Sequence, residues 1–355
     1  GAMTHRGPDA AGGFSSANVA MHHNRLAVVD IIGGAQPMTV VLGGKRYTIV
    51  YNGELYNTEE LTRELAERGV TPRTHSDTEA LVYAYAVFGE DCLSHLNGIF
   101  AFAVYDDFEG SLFCARDRLG VKPFFFTEAQ GQFLFASEVK ALLKHPSVHP
   151  VIDAPGLWQL LYLAPVTLPG CSVFRGIFEL LPGECLRVDA GGLHRRRYWD
   201  YTPGAHTEGR DETVEHVRNL LTDAIRRQLV SDVPLCCFLS GGLDSSVVSA
   251  VAAEKYREEG KRLSTYSFEY EGNKYAPTLF QPNPDDDYAR LMAEYIGSEH
   301  TVPVADSETV ARELLPAVLS RDFPGQADID SSLRYYCARV KEKHTVALSG
   351  ECADE

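Results

Sequence analysis

The segment Ser240-Gly241-Gly242-Leu243-Asp244-Ser245-Ser246 follows the apolar run 235–239, and Ser349-Gly350-Glu351-Cys352-Ala353-Asp354-Glu355 follows a shorter run at 345–348. Each is a buried-type strand that halts at Ser-Gly with carboxylates a few residues on, the composition that a triphosphate and its magnesium ion require. In the first, Gly241 and Gly242 let the backbone turn sharply, and Asp244, Ser245 and Ser246 then open a helix whose exposed amides face an incoming anion. The chain carries no G-x-x-x-x-G-K-[ST], and no lysine stands in this turn to neutralise a γ-phosphate. Alone, the second segment reads equally well as a surface turn. Its weight comes from the first, because loops at the carboxyl ends of neighbouring parallel strands face one crevice. There Asp244 and Asp354 would hold one Mg²⁺ between them, together with phosphate oxygens.

The elements that must position these loops alternate. From residue 211 on, helices fit 211–228, 244–255, 287–296, 307–319 and 331–342, and strands fit 235–239, 262–269 and 345–348. This alternation predicts an α/β, doubly wound parallel sheet over 206–355. Asp285-Asp286-Asp287 reads as a helix N-terminal acid cluster. Residues 1–200 have a different period, with strands expected at 18–30, 45–51, 100–106, 111–116, 124–127 and 132–136 and helices at 58–67 and 78–88. Turns at Gly43-Gly44, 107–110 and 129–131 separate paired strands, which predicts antiparallel sheets packed with helices, an α+β half. The linker is placed at 195–205.

With 355 residues, 45% of them hydrophobic, the chain is long enough for two cores, and 33 basic against 49 acidic residues give a net charge of −16. That charge argues against non-specific nucleic-acid binding. No apolar run approaches the ~20 residues of a membrane span, and no leader is visible, so a cytoplasmic protein is expected. The eight cysteines are scattered without a C-x-x-C pair, which fits buried thiols better than disulfides or zinc ligands. A chain that stops at Glu355, inside a candidate loop, is expected to be a fragment or the ordered part of a longer one.

Further motifs give the two halves a common reading. They are His5-Arg6-Gly7-Pro8-Asp9, Arg25-Leu26-Ala27-Val28-Val29-Asp30, Tyr51-Asn52-Gly53-Glu54-Leu55-Tyr56-Asn57, Ser76-Asp77-Thr78-Glu79, Ala115-Arg116-Asp117-Arg118-Leu119-Gly120-Val121-Lys122-Pro123 and Gly297-Ser298-Glu299-His300. With the two Ser-Gly loops, they make nearly the whole chain resemble the glutamine-dependent asparagine synthetase family. The resemblance implies a class II glutaminase domain of the N-terminal-nucleophile hydrolase fold, a sandwich, followed by an ATP-pyrophosphatase domain incomplete at its carboxyl end. It also implies that Arg25 holds the glutamine α-carboxylate, with residues Leu26, Ala27, Val28 and Val29 lining the site. Glu54 and Asp77 would receive the ammonium group, and Asn52 with the Gly53 amide would form the oxyanion hole. Read without the resemblance, Asn52-Gly53 is a tight turn exposing an amide and a carboxamide together, or simply a hairpin turn, and Arg25 could equally be a surface strand residue. The family's nucleophile is an amino-terminal cysteine whose own α-amine is the general base. None of the eight cysteines stands at a matching position.

For the second half the resemblance implies that ATP and Mg²⁺ activate an acceptor carboxylate as an acyl-adenylate, which ammonia then converts to an amide. Pyrophosphate would leave toward Ser240, Gly241, Gly242, Asp244, Ser245 and Ser246. The Leu239 backbone, Ser267, Tyr270, Ser349 and Gly350 would contact the nucleotide, and Glu351 would act on the ammonia or on the adenylate. Glutamine, aspartate and ATP are the implied substrates, and a homodimer is one assembly the resemblance allows. The stretch 326–332 carries no arginine for an aspartate α-carboxylate, which leaves a related amidotransferase or a cyclising, β-lactam-forming ligase as the alternative.

Overall fold

The computed structural model describes residues 1–272 and 285–351. The chain divides into two units, one of residues 1–204 with 322–324 and one of residues 205–321 with 325–355.

In the first unit the elements are β1 (Ala10–Ser15), β2 (Ala20–Arg25), β3 (Met38–Leu42), β4 (Lys45–Leu55), α1 (Thr58–Glu67), α2 (Asp77–Phe88), β5 (Gly98–Asp106), β6 (Ser111–Arg116), β7 (Phe125–Ala129), β8 (Gln132–Ala136), α3 (Val139–Leu142), α4 (Ala154–Tyr162), β9 (Phe178–Glu179), β10 (Glu184–Asp189) and β11 (Gly192–Arg197). A six-stranded antiparallel sheet runs in the order β11-β10-β6-β5-β4-β3. Strand alternation sends Phe100, Phe102 and Val104 of β5 to one face, against Leu61 and Leu65 of α1 and Leu81 and Tyr85 of α2. Ala101, Ala103 and Tyr105 go to the other face, against Met21 of β2 and Phe126 of β7. Both faces of the central strands are therefore covered, which is why β5 reads as a nearly continuous apolar run. The result is the expected sandwich of antiparallel sheet and helices.

The second unit comprises α5 (Arg210–Arg227), β12 (Leu235–Phe238), α6 (Leu243–Glu258), β13 (Ser264–Tyr266), β14 (Glu269–Tyr270), α7 (Asp285–Ile296), β15 (Glu299–Thr301), β16 (Val304–Ala305), α8 (Ser307–Arg321), α9 (Ala327–Lys341) and β17 (Val346–Leu348). Its four-stranded sheet is parallel throughout, in the order β15-β13-β12-β17. Leu235 and Cys237 of β12 pack with Ala252 and Ala253 of α6 and Ile296 of α7, whereas Cys236 packs with Tyr266 and with Val340 of α9. Helices thus lie on both faces, as in a doubly wound sheet. The chain moves outward from β12 to β13 and β15, then returns to the other side of β12 at β17. Between β12 and β17 the order reverses, and ligands of open α/β sheets bind at such reversals.

Several expectations are corrected. The strand expected at 18–30 is only β2, and it pairs with β1, which alternation in so glycine-rich a segment did not reveal. The linker expected to begin at 195 begins later, because residues 195–197 pair with 184–186. The strand expected at 262–269 is two strands: β13 stays in the main sheet, and β14 pairs instead with β16. Of the seven described cysteines all are free thiols, five of them buried, with Cys171 partly exposed and Cys337 exposed. Cys352 lies outside the described residues. Among the described residues no helix is long and apolar enough to cross a membrane.

Candidate active sites

In the first unit the site grows from β4. Asn52-Gly53 is not a turn. The strand continues through both residues to Leu55, pairing Asn52 with Ala101 and Gly53 with Phe100 of β5. A Cβ at Gly53 would stand 2.3 Å from the Ile99 carbonyl oxygen and 2.8 Å from the Phe100 Cα, so close backbone approach, rather than a hairpin, is what requires glycine here. Meanwhile β3 pairs with β4 only as far as Ile49, and the β4 edge beyond it is open to other partners. Backbone groups of alternate residues point to the same edge of a strand. Tyr51 N–H and Leu55 N–H on that edge donate to Gln36 Oε1 at 2.7 Å and to Asp77 Oδ2 at 3.2 Å. The Gly53 N–H, midway between them, points to the same open edge. Near it, the buried Nδ2 of Asn52 has no hydrogen-bond partner among the described residues. A buried amide donor without a partner is costly unless something else supplies an acceptor. An oxygen that gains negative charge during a reaction is such an acceptor.

Asp77 opens α2 behind the Ser76 cap, whose hydroxyl accepts from the Thr78 amide. The carboxylate also accepts from the Tyr51 hydroxyl at 2.8 Å, so it ties α2 to both ends of the open β4 segment. Burial raises its pKa, and the Tyr51, Leu55 and Thr78 hydrogen bonds and the Arg25 charge act in the opposite direction. Burial, with the like charge of Asp77 second, pushes Glu54 up to about 8, while Lys122 pulls it down. Lys122 is itself lowered by burial and raised by Glu54. Two neighbouring desolvated carboxyls, Glu54 under the charge of Lys122 and Asp77 under that of Arg25, have room for a further cationic group.

Arg25 is buried, with 9% of its surface exposed, and its guanidinium is wrapped by the loop that follows it. Nη1 donates to the Ile31 carbonyl at 2.7 Å, and Nη2 to those of Val29 at 3.1 Å and Asp30 at 2.7 Å. It is therefore not a surface strand residue, and three of its five N–H donors shape residues 29–31. The Ala27 amide donates to Asp9 at 2.8 Å, which fixes Leu26, Ala27, Val28 and Val29 on the same loop. Sequence reasoning missed Lys122, His23 and Gln36. Lys122 stands inside the 115–123 motif, where Asp117 accepts from the Leu119, Val121 and Lys122 amides. His23 and Gln36 carried no signal beyond their polarity.

In the second unit the two Ser-Gly loops lie at the reversal between β12 and β17. A Cβ on Gly350 would stand 2.7 Å from the Ser245 nitrogen and 3.0 Å from the Asp244 Cβ, so the second loop rests directly on the first turn of α6. Gly241 has φ of 90°, the left-handed conformation its type allows. No side chain caps α6, whose first-turn amides follow Gly242. Ser245 is buried, and its hydroxyl meets Ser240 Oγ at 3.0 Å and donates to the Gly242 carbonyl at 3.2 Å, so it stitches the loop to itself. Ser240 and Gly242 are exposed, with Asp244 and Ser246 partly so. Ser349 Oγ accepts from the exposed Glu351 amide. Leu239 is fully buried, its amide bonded to the Tyr266 carbonyl at 2.7 Å. Ser267 is bonded to His300, and Tyr270 to Ser332 of α9 at 2.7 Å. Asp354 lies outside the described residues. Among the described residues no three His, Cys, Asp or Glu side chains converge as a metal cluster. A magnesium ion that takes most of its ligands from phosphate and water needs only one or two carboxylates, and Asp244 is placed to be one.

Residues 1–199 match the family described as glutamine amidotransferase domain, and residues 216–355 match asparagine synthase. The chain is 49% identical, over 99% of its length and 58% of the other protein's, to asparagine synthetase [glutamine-hydrolyzing] 3 of Bacillus subtilis. It is 34% identical to asparagine synthetase [glutamine-hydrolyzing] 1 of the same organism, over 99% of this chain and 54% of that protein. With amidase chyE of Penicillium rubens it shares 30% identity over 99% of its own length and 52% of the other's. The chain thus spans somewhat over half the length of these relatives. An antiparallel amidotransferase unit followed by a parallel-sheet unit with two apposed Ser-Gly loops, in matching order along the sequence, places the chain in the glutamine-hydrolysing asparagine synthetase family.

Proposed function

We propose that the protein is a glutamine-hydrolysing asparagine synthetase, forming asparagine from aspartate through an aspartyl-AMP intermediate with AMP and pyrophosphate as products. The observation that carries the synthetase half is the apposition of Gly350 and the first turn of α6 at the sheet reversal, which supports one nucleotide crevice built from both loops. The Gly241 amide and those opening α6 are the donors we assign to the pyrophosphate, since the Ser240 and Gly242 amides donate to Ser245 Oγ at 3.3 Å and to Ser240 Oγ at 3.4 Å. Magnesium, held by Asp244 and by Asp354, would offset charge on the leaving pyrophosphate when bound. Glu351, exposed beside this crevice, is the group we assign to the incoming ammonia. Leu239, Ser267, Tyr270 and Ser349 are assigned to the nucleoside side of the crevice.

For the first unit we propose glutamine hydrolysis. Asn52 Nδ2 and the Gly53 amide donate to the oxyanion of the tetrahedral intermediate, and Glu54 with Asp77 receives the substrate ammonium. In this reading Arg25 meets the glutamine carboxylate with donors not engaged by residues 29–31, or exchanges one of those carbonyls for it. The family's terminal cysteine is the nucleophile. The reaction draws on cytosolic ATP and amino acids, which is where the proposal places the protein.

A second reading, amide formation on a different carboxylate, is favoured by one observation. Of the two arginines that flank 326–332, Arg321 donates to Asp330 of that stretch at 2.7 Å and Arg334 donates to Glu313, so both are engaged by carboxylates of the chain itself. Steady-state turnover of the full-length protein with labelled ATP and ammonia separates the two. Aspartate-stimulated release of AMP and pyrophosphate is expected. Release without aspartate stimulation moves the assignment to the second reading, and ADP as the main product overturns both.

A further inference from the structure

Where β3 ends, its place on the β4 edge is taken by one side chain. The Gln36 carboxamide makes a ladder-like pair with Tyr51: Oε1 accepts from the Tyr51 amide at 2.7 Å, and Nε2 donates to the Tyr51 carbonyl at 3.0 Å. A strand continuing along this edge would go on to engage the Gly53 N–H two residues further on. A single carboxamide reproduces one rung and stops, so the Gly53 donor stays open. The same Nε2 lies 3.3 Å from Thr78 Oγ1, in the first turn of the helix that carries Asp77. His23 Nε2 adds a second donor to the Tyr51 carbonyl, at 3.0 Å. From β1, Gly12 braces Gln36 from behind, where a Cβ would come within 2.1 Å of the Gln36 carbonyl oxygen.

We propose that Gln36 is a positioning residue for glutamine hydrolysis. By fixing the Tyr51–Asn52 peptide it sets where the Asn52 carboxamide and the Gly53 amide stand relative to Asp77, while leaving both donors unused. The inference rests on the assignment of Asn52 and Gly53 to the oxyanion. It adds a residue that never touches substrate. A displaced donor weakens stabilisation of the transition state more than it weakens binding of the ground state.

The test uses the full-length protein with Gln36→Leu, which keeps the bulk and removes both bonds, and Gln36→Glu, which keeps the acceptor for the Tyr51 amide but turns a carboxylate oxygen on its carbonyl. Glutamine hydrolysis and ammonia-dependent synthesis are measured for each. The expected result is a fall in glutaminase kcat of about 10- to 100-fold, as for a misplaced oxyanion donor or reacting group. KM for glutamine should move by less than about threefold and ammonia-dependent synthesis by less than about twofold, the pattern of an interaction made only in the transition state. Unchanged glutaminase kcat in both variants, or a rise in KM alone, overturns the proposal. Equal loss of both activities in both variants overturns it as well, since that is the mark of a structural role. Should Gln36→Leu alone lose both activities through misfolding, Gln36→Glu decides by the same criteria. Failure of the parent reading looks different: the unsubstituted protein would then make product from ammonia and none from glutamine.

Discussion

Replacing Glu54 by Gln should remove a large pH-dependent loss of stability. The carboxyl is isosteric with the amide and is pushed up to about 8, first by burial and then by the charge of Asp77. In the unfolded chain it titrates near 4.5. Between those values the folded state holds a proton that the unfolded state has released, so stability falls as pH rises, and the contribution is whole only below about pH 4.5. A window of about 3.5 pH units at about 1.4 kcal/mol each gives an upper bound of about 5 kcal/mol. Such a figure is comparable with the entire stability of many domains, roughly 5–15 kcal/mol. Relaxation around the charge and its attraction to Lys122 reduce the bound, so about 1–2 kcal/mol is expected between pH 6 and 8. Urea unfolding should be followed by peroxide oxidation of Met21, a buried methionine of the amidotransferase core, so that the second unit does not contribute to the signal. The unsubstituted protein should lose stability across this range relative to Glu54→Gln, and the two curves should meet toward pH 5. Parallel curves from pH 5 to 8.5 would refute the account of Glu54 as a carboxyl kept protonated by its surroundings.

Three further outcomes follow from the geometry. Asp77→Ala leaves the Tyr51 hydroxyl and Leu55 amide without their acceptor and should cost about 2–5 kcal/mol in urea unfolding; in solution conditions where it stays folded, glutamine-dependent synthesis should vanish while synthesis from ammonium salt persists. Gly350→Ala brings a methyl against the Ser245 nitrogen; ATP affinity, measured by calorimetry, should fall at least about tenfold, since a backbone atom there has nowhere to retreat. Asp244→Asn should reduce pyrophosphate release by at least about a hundredfold with an unchanged circular dichroism spectrum, and near-normal release would leave Asp244 as a helix-terminal carboxylate only.

The parts of the fold legible in the sequence were those where one periodicity ruled a whole element. Helix α1 carries Leu61 and Leu65 inward, and β6 runs between turn residues, so both were read to their ends. Where two structural demands met, the reading failed. Asn52-Gly53 has the composition of a hairpin turn, but glycine is needed there because β5 comes within van der Waals reach of the β4 backbone. Strand β1 lies in Ala-Ala-Gly-Gly, where partners rather than side-chain alternation make the strand. The basic residues at 195–197 look like a linker because β11 is an edge strand, with its arginines turned to solvent or to acids such as Glu184 and Glu90.

For the candidate sites the division has the same cause. Groups that meet a ligand through backbone amides announce themselves, because only glycine and serine allow the approach, and the Ser-Gly loops were visible for that reason. Groups that act through another residue leave no local mark. Gln36 sits in an ordinary polar stretch, and its importance depends on β3 ending at the register where Tyr51 still needs a partner. Lys122 acts through its charge on the Glu54 carboxyl from a loop in which Asp117 gathers the amides of Leu119, Val121 and Lys122 around one carboxylate. Both cases join residues far apart in the chain, so spacing along the sequence holds no trace of them. What the fold adds is the electrostatic setting: two neighbouring desolvated carboxyls, one under the charge of Lys122 and the other under that of Arg25, beside an amide unpartnered among the described residues. In the glutaminase reading we propose, that setting suits a substrate that brings its own ammonium group and develops negative charge on an oxygen, as a glutamine undergoing hydrolysis would.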